Sequence, residues 1–213
     1  NSVMAGTGLI NNFAVDVRLS NITSDGFIDR ASVDMKSYFV SAGHYPENTL
    51  VKFITFGGTE KTYQAWNGVD IENQERTFNE LGMYFDKNGN TRFYDNQTDN
   101  YNQTHYQLHW TQELNSKLNL NTALHYTRGL GYYEDYKTAR KYKEYGLEPA
   151  IVDDITLKKT DLVRQKWLDN YFGGATFSLN WNANNLALTF GGAANKYYGD
   201  HYGKVLWVQY PNH

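Results

Sequence analysis

The chain has 213 residues, a formal net charge of −3 and no cysteine. This charge argues against a nucleic-acid-binding surface, which needs a basic patch or stripe, and the lack of cysteine excludes disulfides and thiolate metal sites. The 18 tyrosines, 18 glycines and only 3 prolines are typical of a sheet protein with aromatic side chains at its interfaces. No stretch approaches the ~20 consecutive apolar residues of a membrane-spanning helix.

Apolar residues alternate with polar or small ones in five segments and less cleanly in two more, 32–41 and 50–56, and such alternation predicts β-strands with one set of side chains on each face. In the first segment Phe13, Val15 and Val17 alternate with small or polar residues. The predicted strands cover residues 13–20, 32–41, 50–56, 105–111, 118–127, 176–181 and 186–191. Both faces of segment 50–56 are mostly apolar, so its sides are not assigned. We therefore expect an all-β antiparallel meander of about seven strands, most of them near the ~9–11 residues with which a strand crosses a bilayer.

The connections between the predicted strands alternate in length. Residues 115–117 and 182–185 are tight polar turns and residues 43–48 form a slightly longer one, whereas the connections over 57–99 and 129–161 are long. Outer-membrane β-barrels have short periplasmic turns at one end and longer extracellular loops at the other. The sequence therefore predicts a partial outer-membrane β-barrel with long extracellular loops.

The two faces of the predicted strands differ in chemistry. One face carries Leu, Val, Phe, Tyr and Trp, and the other carries Asn, Gln, Thr, Ser, His and small residues rather than mainly Lys and Glu. In a transmembrane barrel the apolar set faces lipid and the polar set faces the lumen, and Trp110, Tyr126 and Trp181 stand where an aromatic girdle is expected. The residues expected on one side of the sheet are Phe13, Val15, Val17, Leu120, Leu124, Leu179, Leu188 and Phe190. The same alternation also fits the core of a soluble β-sandwich.

Residues that could carry chemistry are few. On a strand His105 and His109 would lie about 13 Å apart, too far to share one metal ion held at ~2 Å by each. The adjacent acids at 134–135 and 153–154 are interpreted as solvated loop acids, because glycoside hydrolysis needs two carboxyl groups at a set distance across a bond. Residues 138–145 are expected to form a short helix that ends at the following glycine. We therefore expect no enzyme, no metal site and no cofactor.

The chain also contains an ordered series of short strings. They are Gly6-Thr-Gly-Leu-Ile-Asn-Asn12, Arg18-Leu-Ser20, Ser24-Asp-Gly-Phe-Ile-Asp-Arg30, Phe53-Ile-Thr-Phe-Gly-Gly58, Thr62-Tyr-Gln-Ala-Trp-Asn-Gly-Val69, Asp95-Asn-Gln-Thr-Asp-Asn-Tyr101, His125-Tyr-Thr-Arg-Gly-Leu-Gly-Tyr-Tyr133 and Trp167-Leu-Asp-Asn-Tyr-Phe-Gly-Gly174. In this order they resemble the barrel region of TonB-dependent receptors, especially those of Bacteroides-type gut bacteria. The resemblance extends over nearly the whole chain.

The resemblance implies active uptake of a scarce nutrient across the bacterial outer membrane: an iron–siderophore complex, haem, cobalamin or a glycan. In such receptors a plug domain of the same chain closes the barrel, and TonB pulls the plug by using the inner-membrane proton gradient. Residues 1–213 are then expected to be a fragment of the barrel domain, without the plug or the remaining strands, since about seven strands cannot close a barrel of the 22-stranded class. The expected partners are outer-membrane lipid, the plug domain, TonB through the plug, and a small-molecule or glycan cargo. Isolated, such a fragment should need detergent, self-associate or belong to a larger barrel, because its apolar face and sheet edges are uncovered.

Ligand contact is expected from aromatic residues of the long loops, because loops on a rigid scaffold commonly carry function. The candidates are Tyr63, Trp66, Tyr132, Tyr133, Tyr136, Tyr197, Tyr198 and Tyr202. The alternative is that these rings only pack the loops against each other. Two other functional classes stay open: a carbohydrate-binding β-sandwich, whose aromatic loops would form a sugar platform, and a β-rich hydrolase, which needs acids that converge in one cleft.

Overall fold

The computed structural model describes residues 1–67 and 77–212, and most of these residues are in β-strands. In chain order the strands are β1 Ser2–Gly6, β2 Phe13–Ser24, β3 Val33–His44, β4 Thr49–Tyr63, β5 Met83–Phe85, β6 Thr91–Phe93, β7 Thr98–Asn115, β8 Leu118–Lys141, β9 Ile151–Val152, β10 Ile155–Thr156, β11 Lys159–Ala183 and β12 Leu186–Val208. A short 3-10 helix covers Tyr142–Tyr145. The described part of the chain contains no helix that is long and apolar enough to cross a membrane.

Eight strands form one antiparallel sheet in the order β1-β2-β3-β4-β7-β8-β11-β12. Consecutive strands of this sheet pair directly, because β5–β6 and β9–β10 are separate hairpins inserted in the connections. The predicted all-β antiparallel meander is confirmed, with eight strands in the main sheet rather than about seven. The sequence pattern missed β1, whose five residues show no alternation. The sheet does not close on itself, and β1 and β12 are its edges.

Three strands are much longer than the alternation predicted. β8, β11 and β12 contain 24, 25 and 23 residues, so the predicted long connection over 129–161 is reduced to residues 142–158, and the one over 57–99 to residues 64–97. Beyond the predicted strand ends, polar and aromatic residues occupy both faces, so the polarity stops alternating while the backbone stays extended. The predicted helix over 138–145 is likewise confined to its last four residues, and it ends at a glycine with φ 66°.

The connections sort by length between the two ends of the sheet, as predicted. Residues 7–12, 45–48, 116–117 and 184–185 join strands at what we call the short-turn end. Residues 25–32, 64–97 and 142–158 join them at what we call the long-connection end. The two inserted hairpins and the 3-10 helix therefore all lie at one end of the sheet.

The strand registers assign every side chain of the sheet to one of two faces, because directly opposed residues of antiparallel strands point to the same side. One row runs across β2, β3, β4, β7 and β8 through Val15, Ala42, Phe53, Leu108 and Leu124. Following every register in this way places all eight residues of the predicted apolar set on one side, which confirms that prediction. We call this side the apolar face and the opposite side the polar face.

Side chains on the apolar face are more exposed than those on the polar face, the reverse of what a sheet in water usually shows. On the apolar face Leu124 is 56% exposed and Phe190 is 70% exposed. On the polar face Ser41 and Thr127 are buried. In this sheet the side chains on the polar face are therefore more enclosed by their neighbours than those on the apolar face.

Candidate ligand-binding site

The long connection between β4 and β7 is fastened to the sheet by three buried amide side chains. Gln64 donates through Nε2 to the carbonyl oxygen of Glu134 (3.1 Å), and Asn79 donates through Nδ2 to the carbonyl oxygen of Gln64 (2.9 Å). Gln97 donates to Oε1 of Gln64 (3.2 Å), and its own Oε1 accepts the backbone N–H of Tyr136 (2.9 Å). These bonds fix the connection against β8.

The carboxylate of Glu134 is the central hydrogen-bond acceptor where this connection is anchored to β8. Its Oε1 accepts hydrogen bonds from the Tyr94 hydroxyl and from Asn96 Nδ2, each at 2.6 Å, and its Oε2 accepts one from Gln165 Nε2 at 2.7 Å. Burial, together with the hydrogen bond to Glu134 and its negative charge, raises the pKa of Tyr94. Because the chain's own donors occupy both carboxylate oxygens, Glu134 holds the connection in place rather than offering itself to a ligand.

The prediction that residues 134–135 are solvated loop acids is wrong. Both lie in β8, and they are 4% and 2% exposed. Asp135 accepts two hydrogen bonds from the Arg164 guanidinium (2.8 and 3.2 Å), and Lys137 Nζ lies 3.0 Å from the same carboxylate. The extension of β8 carries both acids into a packed region, where they need partners. The other acidic pair, 153–154, is exposed in the turn of the β9–β10 hairpin.

A groove of about 650 Å³ lies near the long-connection end, mostly on the polar face. Tyr101, Tyr133, Lys166 and His201 are among the residues around it. Gly131 allows the Tyr101 ring to pack closely against β8, since a Cβ there would collide with the carbonyl oxygen of Asn100 and with that ring. Lys166 Nζ lies 5.8 Å from the centroid of the Tyr133 ring. The groove thus combines flat aromatic surface with hydrogen-bonding groups, and it is the best candidate for ligand contact on the polar face.

Two of the predicted ligand contacts meet beside this groove. Trp66 stands edge-on to Tyr133, with ring centroids 5.8 Å apart and planes at 86°. Trp66 is exposed, and it is the one predicted contact that lies in a connection between strands. The structure therefore brings Trp66 and Tyr133 together.

The other seven predicted contacts lie in strands, so the prediction that the whole set belongs to loops is wrong; the strands extend further than their alternation indicated. Tyr63 ends β4 and is buried, and its hydroxyl lies 3.2 and 3.0 Å from the carbonyl oxygens of Leu81 and Tyr94. Tyr136 donates its hydroxyl hydrogen to Asp161 Oδ2 at 2.9 Å. These two tyrosines fit the alternative interpretation, in which the rings pack the connections.

Of the remaining four predicted contacts, Tyr132 and Tyr202 border the same groove as Tyr133, whereas Tyr197 and Tyr198 are not among its lining residues. Tyr132 and Tyr202 lie on the apolar face on either side of Trp167, with ring centroids 4.5 and 5.9 Å from the indole. Tyr197 and Tyr198 are neighbours on the edge strand β12, so they point to opposite faces, and both are exposed. The predicted set therefore divides between the two faces of the sheet.

Sequence reasoning missed an aromatic cleft of about 620 Å³ on the apolar-face side of the long-connection end. There Tyr84 stacks on Tyr136 with ring centroids 4.5 Å apart, and Trp207 lies 6.1 Å from Tyr136. The cleft exists because the β5–β6 hairpin folds toward β12. The signal that could have found this hairpin is an Asn-Gly pair between two short segments that contain aromatic residues, a common hairpin turn.

The two histidines considered as metal ligands are engaged by their neighbours on the polar face. Nε2 of His105 lies 3.1 Å from Oε1 of Gln103, and Nε2 of His109 lies 3.1 Å from Oε1 of Gln107. Within residues 1–67 and 77–212, no three side chains of the metal-binding types are grouped to hold an ion.

Comparison of the chain with protein-family models, with curated proteins and with solved structures found no match. The functional argument therefore rests on the residues and their geometry.

Proposed function

We propose that this chain is part of a β-barrel wall in the bacterial outer membrane, within a TonB-dependent receptor that imports a scarce nutrient. The observation that carries the proposal is a single sheet whose apolar side chains are exposed on one face while the opposite, polar face is the more buried. In water this arrangement is unfavourable, because soluble monomers rarely expose apolar patches above a few hundred Å². In the wall of a membrane barrel, the exposed apolar face would contact lipid and the polar face would line the lumen.

The height of the apolar face supports this location. On β11 the belt runs from Trp181 near the short-turn end to Tyr171. About ten residue steps of roughly 3.4 Å, at a strand tilt of about 40°, give a height of about 26 Å, close to the ~25 Å apolar band of outer-membrane barrels. Below the row that contains Tyr171, the apolar face of the described sheet carries Lys196 as its only Asp, Glu, Lys or Arg.

Tyrosines mark the upper limit of the belt. Tyr106, Tyr126, Tyr171 and Tyr198 follow one another across β7, β8, β11 and β12, with successive ring centroids 6.3 to 6.4 Å apart. Aromatic rings of this kind favour the membrane–water interface, where one end is apolar and the other is wet. In the proposed orientation, the long connections then lie on the extracellular side and the short turns on the periplasmic side.

The alternative of a carbohydrate-binding β-sandwich needs a second sheet over the apolar face. The described residues form one large sheet and two short hairpins, and Leu188 and Phe53 on the apolar face are exposed. A hydrolase needs free acids that converge in one cleft, whereas Glu134 and Asp135 are both held by the chain's own donors. The barrel wall is therefore the function that the geometry supports best.

Site-directed spin labelling tests the membrane location, because residues 1–213 contain no cysteine and any cysteine elsewhere in the gene product can be replaced by serine. Single cysteines replace Ala123, Leu124, His125 and Tyr126 in the natural gene product, which is reconstituted in lipid bilayers. Labels at 124 and 126 should collide mainly with oxygen dissolved in lipid, and labels at 123 and 125 mainly with a water-soluble nickel chelate. Equal access to the chelate at all four positions would refute the barrel wall.

Growth assays test the import function. The natural host, deleted for the gene, should lose growth on one source among iron–siderophore complexes, haem, cobalamin and glycans, and a protonophore should abolish the corresponding uptake. Substitution of Trp66 and Tyr133 by Ala should reduce this uptake, whereas Phe177→Ala with Phe190→Ala, a pair of exposed contacting rings on the apolar face, serves as the matched control. Unchanged uptake by the double variant at normal expression would contradict ligand contact at these two rings.

A further inference from the structure

A pocket of about 590 Å³ lies on the polar face beside the groove at Tyr133, further toward the long-connection end. Its floor is formed by Arg164 and Lys166 of β11, which stand opposite Val205 and Gly203 of β12. A Cβ added at Gly203 would approach only one backbone oxygen, at 3.7 Å, so the space above this glycine is open. We call this cavity the basic pocket.

Arg164 is held rigidly in the basic pocket. Its Nε and Nη2 donate to the two carboxylate oxygens of Asp135, and its Nη1 donates to the Tyr145 hydroxyl at 3.1 Å. A guanidinium has five N–H groups, so two of them can still donate to a ligand. The Tyr145 hydroxyl also borders the pocket, and because it accepts from Arg164 it can donate its own hydrogen to a ligand.

Two further cations of the basic pocket have no carboxylate partner in the described part of the chain. Arg140 and Lys166 both line the pocket and are exposed. Neither side chain lies within 4.0 Å of a carboxylate oxygen of residues 1–67 and 77–212. Glu144 is the one acid among the described lining residues. These three side chains together leave an excess of one positive charge.

The remaining charges add to this excess. The carboxylate of Asp135 is shared by Arg164 and Lys137, so this group contributes one further positive charge. Lys204 also borders the pocket, but its ammonium lies 4.4 Å from the centroid of the Trp167 ring, on the apolar face, and is not counted. The basic pocket therefore has an excess of two positive charges.

The basic pocket opens into the groove beside Tyr133, with which it shares Lys166 and Gly203. The acids of that groove, Glu60 and Asp99, lie on its far side. Asp99 is in the same row as Lys166 but two strands away, about 10 Å at the usual strand spacing, and Glu60 is one strand further. The combined site is therefore positive at one end and negative at the other, with the Tyr133 ring between.

We propose that this site binds an acidic sugar, a cargo that carries several hydroxyl groups and a carboxylate or sulfate. The anionic group lies among Arg140, Arg164 and Lys166, and the sugar ring lies on Tyr133. Hydroxyls at the other end of the sugar donate to the acids across the groove, which would repel a ligand that is negative throughout. The proposal rests on the proposed import function, in which this site lies at the extracellular mouth of the lumen.

Binding of the natural gene product, in non-ionic detergent, to immobilised oligosaccharides tests the proposal. One pair of probes is a glucuronate oligosaccharide and its carboxyl-reduced form, in which a hydroxymethyl group replaces each carboxylate. The other pair is a sulfated galactose oligosaccharide and its desulfated form. A hydrogen bond to a charged group is worth about a tenfold change in Kd or more. At least one acidic probe should therefore bind at least about tenfold more tightly than its neutral partner, and the two pairs distinguish carboxylate from sulfate.

Variants locate the anion in the basic pocket. Arg140→Gln combined with Lys166→Gln should raise the Kd of the bound acidic probe at least about tenfold, for the same reason. The matched control combines Arg18→Gln with Lys117→Gln, which removes one arginine and one lysine from exposed positions on β2 and in a turn at the short-turn end; its Kd should not change. Arg140→Lys combined with Lys166→Arg keeps both charges and should bind nearly as the natural protein does.

Four results would overturn the acidic-sugar site. They are binding of neither acidic probe, equal binding of the acidic and neutral partners, an unchanged Kd in the test variant, and an equal loss in the control variant. None of these results affects the alternating label accessibility on β8, so failure of this site and failure of the barrel wall remain distinguishable.

Discussion

The buried carboxylate of Glu134 offers a direct test of how the long connection is held. In a Glu134→Gln variant, the new side chain keeps one acceptor oxygen and turns an amide NH2 toward donors on its other side. At least one of the three hydrogen bonds is then lost, since Tyr94, Asn96 and Gln165 all point donors at this group. A hydrogen bond to a charged group contributes ~1.5–3 kcal/mol, so we expect the free energy of local opening to fall by about 2 kcal/mol.

Hydrogen exchange followed by mass spectrometry measures this change. An opening free energy lowered by about 2 kcal/mol speeds exchange roughly 30-fold for amides that exchange through local opening. The acceleration should appear in residues 77–97 and at the backbone N–H of Tyr136, which Gln97 protects, and not at the short-turn end. Glu144→Gln, on the exposed 3-10 helix, changes the same charge without these contacts and is the control. If both variants exchange alike, Glu134 is not the anchor that we infer.

Further outcomes follow from the other charged groups and from the exposed belt. Raising the pH above about 10 should loosen the same connection, because the raised pKa of Tyr94 stabilises the fold only while its phenol keeps the proton. A Tyr94→Phe variant should show a smaller alkaline loss, and the rest comes from Tyr63 and Tyr136, whose pKa values are also raised. Arg164→Met removes the guanidinium that donates two hydrogen bonds to the buried carboxylate of Asp135. This loss should lower the free energy of unfolding, measured in urea, by about 3 kcal/mol, whereas an unchanged value would show that the ion pair is dispensable. Hydrogen bonds, the largest from the backbone N–H of Asn90, lower the pKa of Asp86 to about 2. NMR signals of the β5–β6 turn should therefore hold as the pH falls through about 4, where a free Asp titrates, and should change around pH 2; Asp86→Asn should remove this change. In buffer without detergent the protein should self-associate, as light scattering can measure; a stable, monodisperse monomer would instead favour a soluble sandwich.

The sheet faces could be predicted from the sequence because, in the half of each strand near the short-turn end, the two faces differ clearly in polarity. Leu120 and Leu124 on β8 stand opposite polar or small residues, and this contrast reveals both the strand and its register. The sides of the segment around Phe53 stayed open, because both of its faces are mostly apolar. The registers with β3 and β7 settle that point, since Phe53 lies in the same row as Leu124.

The site could not be predicted in the same way, because the strands continue where their alternation stops. Toward the long-connection end both faces carry polar and aromatic residues, so a pattern based on polarity ends near Gly129 while β8 continues to Lys141. Because the alternation ends early, the sequence pattern placed Glu134 in a solvated loop, whereas in the structure its side chain is buried in a hydrogen-bond network. The position of Trp66 beside Tyr133 also depends on contacts between distant segments, which local sequence patterns do not record.

The meander also sets an order of assembly. Hairpins β3–β4, β7–β8 and β11–β12 close through turns of two to four residues, and such hairpins form within ~1–10 μs. Joining β4 to β7 requires closure around residues 64–97, and the entropy of that closure grows with the length of the loop. The hairpins should therefore form early and join later, and the hydrogen bond between the side chains of Gln64 and Gln97 can form only at the second stage. Until then each hairpin presents unpaired edges to its neighbours, which makes the interval between the two stages the period of greatest risk for mispairing with another chain.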